Sequence, residues 1–150
     1  MARDEITLDL FREVEPTAIV ERFADEVVRA DTLAGKVSRA VKATLDAFGR
    51  SREDVARSIS DFLGDECSRA MLDKYASQGA AEHTISAVRL AALVSVTGDP
   101  RPLNALLESL GLIVVPKRYE WLIRRERANE LKKLAEREAA AADAQWRAQR

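Results

Sequence analysis

Apolar positions along this chain recur at steps of three and four far more often than they alternate with polar ones, which is the signature of amphipathic helices. The pattern is clearest over residues 51–77. Val55, Ile59, Phe62 and Leu63 fall on one face of a predicted helix from Ser51 to Leu63. Ser51 is placed to cap it, with Asp54 three residues on, and Gly64 follows the last apolar residue. A second short helix is predicted from Ser68 to Ala76, with Met71, Leu72 and Tyr75 as its stripe. Neither stripe can be buried by its own helix, so the pair must pack together and on a third element. In outline this is a helix-turn-helix unit.

The flanks carry the same period. Leu33, Val37, Val41, Leu45 and Phe48 line one face of a helix over 32–48, capped by Thr32 and ended by Gly49. That helix is expected to cover the central pair. A polar connection over 78–84 leads to a helix from Ser86 to Thr97 with Leu90, Leu93 and Val94, stopped by Gly98-Asp99-Pro100. Another starts near Pro102, carries Leu103, Leu106, Leu107 and Leu110, and ends at Gly111. Leu112 to Val115 is β-branched enough for one short strand. Residues 117–150 are dominated by Ala, Glu, Arg, Lys and Leu, which predicts one long, exposed helix. Leu131, Leu134 and Ala141 fit part of a heptad.

Composition agrees with an all-α reading: a helix-turn-helix-containing helical bundle with a long C-terminal helix. Among 150 residues, 47% are hydrophobic but only 5% aromatic, so the core must be built from Leu, Val, Ile and Ala. A single cysteine, Cys67, rules out an internal disulfide, and no apolar run approaches a membrane span. A protein of the bacterial cytoplasm, with no membrane partner, is expected. The net charge of −1 hides a gradient. Residues 1–31, expected to be an acidic and weakly structured arm, hold four basic and nine acidic groups. The helical domain over 32–116 holds ten of each, and the tail over 117–150 holds ten basic and six acidic groups. Ends so different in charge predict different partners.

Two stretches resemble known families. In the arm, Leu8, Asp9, Leu10 and Phe11 resemble the peptide by which bacterial and phage proteins bind the replication sliding clamp, with Thr7 where a Gln is usual. The resemblance implies a host sliding clamp as partner, with Leu10 and Phe11 in an apolar pocket. Over residues 32–115, the helix-turn-helix is followed by Val96-Thr97-Gly98-Asp99, then Leu103-Asn104-Ala105-Leu106, then Leu110-Gly111-Leu112. This order is similar to CII-type regulators of temperate phages, and closer to the small helix-turn-helix proteins of Mu-like transposable phages and prophages. The resemblance implies double-stranded DNA as partner, in transcription regulation or in transposition and replication control. The chain departs from a compact helix-turn-helix by extra residues, Asp61 to Glu66, before the second helix.

On the second helix, the DNA-binding candidates off the apolar stripe are Ser68, Arg69 and Lys74, with Arg69 able to reach guanine. Residues 51–80 carry four basic and six acidic groups, so the module needs added positive charge. Arg124, Arg125, Lys132 and Lys133 of the tail are the expected source. No enzyme is expected. His83 is the only histidine, Cys67 has no basic partner of known position, and one His with one Cys cannot form a usual zinc site. No phosphate loop or nucleophile elbow is present, so no cofactor and no metal are predicted. The alternative reading is a non-enzymatic adaptor or assembly protein, with the arm on a replication protein and the tail forming a homodimer or higher oligomer.

Overall fold

The computed structural model describes residues 18–77 and 83–149. Among these the secondary structure is helical throughout: seven α-helices and short 3-10 turns, with no strand. The chain divides into two compact units, one ending at Val114 and one beginning at Val115.

In the first unit the helices are α1 (Asp25–Val28), α2 (Leu33–Phe48), α3 (Arg52–Leu63), α4 (Arg69–Tyr75), α5 (Ala87–Thr97) and α6 (Arg101–Leu107). Four starts are fixed locally. The hydroxyls of Thr32, Ser51, Ser68 and Ser86 accept the N–H of Gly35, Asp54, Met71 and Arg89, each satisfying a donor the helix cannot. Asp54 returns the bond at α3 by accepting from the Ser51 hydroxyl at 2.7 Å. Of the extra residues in the turn, Asp61 to Leu63 lengthen α3, and the connection proper runs from Gly64 to Ser68. Gly64, at φ 66°, reverses the chain there, a conformation that side-chain-bearing residues rarely adopt.

Packing departs from the sequence expectation in one respect. Helix α2 lies mainly against α6 and α1 and reaches α4, whereas α3 is covered chiefly by α5. Helix α5 has a single charged residue, Arg89, and buries Leu90, Ala92 and Leu93 while leaving Val88 exposed. Val41, Ile59, Leu72, Leu90 and Leu93 are fully buried in one cluster that joins α2, α3, α4 and α5. Phe62, expected on the stripe of α3, is 58% exposed; Ile59 and Leu63 already fill the inner face.

Residues 18–31 also differ from a loose arm. Helix α1 packs on α2, and Val28 is buried with Ala40 and Ala105, with Phe23 against them. The Arg101 guanidinium lies 4.3 Å from the centre of the Phe23 ring, a cation–π contact. The expected strand at Leu112–Val115 is not formed. With no second strand to pair with, the Val114 N–H donates instead to the buried Asn104 side chain at 2.6 Å. The Asn104 amide nitrogen in turn donates to the Glu21 carbonyl at 2.8 Å.

The second unit has a 3-10 turn, Lys117–Tyr119, and one 29-residue helix, α7 (Glu120–Ala148), about 43 Å long. Every described residue of α7 beyond Glu120 is exposed. Helix-forming residues and the ion pairs Glu120–Arg124, Arg127–Glu130 and Lys132–Glu136 hold it locally. No helix among the described residues is long and apolar enough to cross a membrane.

Candidate nucleic-acid interface

Helix α4 is seven residues long and is anchored from inside. Leu72 and Tyr75 are buried, while Arg69, Ala70 and Lys74 face outward. Its entry is set by neighbours. The Ser60 hydroxyl accepts the Cys67 N–H at 2.8 Å and donates to the Ala56 carbonyl at 2.9 Å. From α5, Arg89 donates to the Tyr75 hydroxyl, to Asp65 and to the Glu66 carbonyl. One arginine thus spans the turn and the far end of α4, which fixes the angle at which α4 leaves α3.

The outer face is a chain of alternating charges. Asp46 pairs with Arg52, Arg52 with Asp73, Asp73 with Arg69, and Arg69 with Glu53. Arg69 is therefore held by two carboxylates, though it is 59% exposed. Its own backbone N–H first, and then the Arg69 guanidinium, hold the Glu53 carboxyl below the usual range. Ser68 spends its hydroxyl on the helix cap. Lys74 is exposed and makes no ion pair among the described residues.

Beside this face lies an open cleft of about 800 Å³ between α1, α2, α3 and α4. Arg39, Lys42 and Arg52 line it together with Asp46 and Asp73. Because Arg52 and Asp73 belong to both features, cleft and outer face form one continuous surface. It carries four basic groups (Arg39, Lys42, Arg52, Arg69) against three acidic ones (Asp46, Glu53, Asp73). Arg39 and Lys42 were not singled out from the sequence. The available signal was their position on α2, opposite the stripe of Val37, Val41 and Leu45.

The tail candidates are arranged differently. At about 100° per residue, Arg124, Arg125, Lys132 and Lys133 spread over roughly half the circumference of α7 rather than along one line. Arg124 is drawn to Glu120 at 2.8 Å and lies 5.0 Å from the Trp121 ring centre; Lys132 leans to Glu136. Arg125 and Lys133 make no ion pair among the described residues. The clamp-like residues Leu8, Asp9, Leu10 and Phe11 lie outside the described residues.

Other chemistry is sparse. Cys67 is buried, and desolvation pushes its thiol upward despite the opposing pull of Arg89, so little reactive thiolate forms at neutral pH. His83 is exposed. No cluster of three or more metal-ligating side chains occurs among the described residues. No protein-family model, curated protein or solved structure matches the chain.

Proposed function

We propose that the protein is a phage or prophage double-stranded-DNA-binding factor, acting in transcription regulation or in transposition and replication control. In this reading α3 and α4 serve as the helix-turn-helix, and α4 enters the major groove. The observation that carries it is the continuous surface of α2, α3 and α4, where basic groups outnumber acidic ones four to three although the local sequence is net acidic. Arg39 and Lys42 would meet phosphates, which position the protein. Arg69 would exchange Glu53 and Asp73 for a guanine edge, since its fork of donors suits either partner. Arg125 and Lys133 of α7 would add phosphate contacts. Binding rather than catalysis is the proposed role.

The test is a salt-dependent titration of the full chain against random duplex DNA. A steep fall of log affinity with log salt counts the phosphates neutralised. Replacing Arg39, Lys42 and Lys74 together by Ala should flatten the slope by about two to three. Absence of binding at low salt would remove the reading.

The adaptor reading retains one favourable observation, the mutual neutralisation of Arg69, Glu53 and Asp73. Its clamp contact would run through Leu8, Asp9, Leu10 and Phe11. Loss of a clamp pull-down in the Leu10→Ala, Phe11→Ala variant supports it, and retained capture by that variant excludes this contact.

A further inference from the structure

Six apolar residues of helix α7 lie on one line, which Arg124 shares, while Leu122, Ile123 and Leu134 lie on other sides. Trp121, Ala128, Leu131, Ala135, Ala142 and Trp146 follow each other at steps that keep them within roughly a quarter of the helix circumference. Trp121 is 72% exposed, and Leu131 and Trp146 are each more than half exposed. A large indole at each end, one leucine at the centre and small residues between them make a face that two helices can share closely.

The charges beside this face decide what covers it. On one flank, in chain order, lie Arg125, Lys132, Glu136 and Asp143; on the other lie Glu120, Arg127 and Glu138. From Arg125 to Asp143 the first flank thus runs from basic to acidic, and from Arg127 onward so does the second. We infer that α7 pairs with α7 of a second copy of this chain, antiparallel, along this face.

Setting Trp121 beside Trp146 of the second copy fixes the register. Leu131 then meets Ala135 of the second copy. In the same register Arg125 faces Asp143, Lys132 faces Glu136 and Arg127 faces Glu138 across the pair, and symmetry repeats each contact. A parallel pair would instead bring Arg127 against Lys132 of the second copy, like charge against like. Rim ion pairs contribute little affinity in water, so they choose the direction while the apolar line supplies the association. An isologous twofold contact of this kind closes on itself and predicts a dimer rather than a filament. The inference is independent of DNA binding.

Sedimentation equilibrium of the full chain should give twice the chain mass. Leu131→Asp combined with Ala135→Asp should weaken the dimer at least about tenfold, with the melting transition of the remaining helices retained. For direction, Arg125→Cys and Asp143→Cys variants are mixed and oxidised. A crosslink between the two different variants is expected. A monomeric wild type, a dimer indifferent to the double Asp substitution, or self-crosslinking of Arg125→Cys alone would each overturn the inference. If the paired substitutions also unfold the chain, Asp143→Lys, which leaves the apolar line intact, must still weaken the dimer.

Discussion

Helices α4 and α7 are both exposed and both rich in charge, yet they are held in opposite ways. Helix α4 has only seven residues, too few to persist alone. Its position comes from Leu72 and Tyr75 in the core, and its charges are tied to other elements: Arg69 to Glu53 of α3, and Asp73 to Arg52 of α3. Helix α7 has 29 residues, strong intrinsic propensity and, among the described residues, ion pairs only with itself. A segment's net charge therefore says little about what it offers a ligand. On α4 the acidic groups serve to orient arginines, whereas on α7 they set a direction along an apolar line.

The comparison breaks most visibly through the core. Leu72→Ala should destabilise the first unit by about 2–5 kcal/mol, read as a shift in urea midpoint, because it empties the most deeply buried position of α4. Leu134→Ala on α7 should change the same transition by less than about 0.5 kcal/mol.

Next in size is the buried polar frame behind the site. Asp99 has a side chain only 13% exposed and accepts from Thr44 at 2.8 Å and from Arg101. Burial raises its carboxyl, but the Arg101 side chain, the Arg101 backbone N–H and Thr44 outweigh that and hold it below its ordinary value. A carboxyl lowered on folding adds stability above its unfolded value and loses it as pH falls through the folded one. Wild-type stability should therefore drop between about pH 4 and the lowered value. Asp99→Ala should cost about 1–3 kcal/mol at neutral pH and flatten that acid limb. Asn104→Ala should cost a similar ~1–3 kcal/mol, by leaving the Val114 N–H without its acceptor.

The finer effects bear on the ligand. Glu53→Gln releases one of the two carboxylates on Arg69 and should raise duplex affinity several-fold, measured by anisotropy; an unchanged or lower affinity would show that Arg69 does not reach DNA. Arg125→Ala with Lys133→Ala should lower affinity by less than the change from Arg39→Ala with Lys42→Ala, because Arg39 and Lys42 line the cleft beside α4.

The helices and their caps were legible because their causes are local: a hydroxyl three residues from the N–H it accepts, an apolar period, a glycine after the stripe. The frame was not, because its causes are distant in sequence. Asn104 and Glu21 are separated by 83 residues and Thr44 and Asp99 by 55. Thr97, Asp99 and Asn104, which stood out as motif residues, do structural work here. Thr97 donates to the Leu93 carbonyl, and the other two join segments. For the candidate site, Arg69 and Lys74 were legible as outward positions, but the cleft with Arg39 and Lys42 needs α2 and α4 brought side by side. Phe62 and the Leu112–Val115 run misled for one reason: apolar or β-branched character states a preference, and only a neighbour with room or a free edge can satisfy it.

The Asn104 amide touches backbone at both Glu21 and Val114, so residues near 21 and 114 are held together at one spot. The unit is therefore suited to circular permutation: a short Gly-Ser bridge would join residues near 21 and 114, and new ends would open at the exposed Gly49–Arg50 bend. Such a rewired protein should keep its helices, and where the tail is attached becomes a matter of choice rather than of folding.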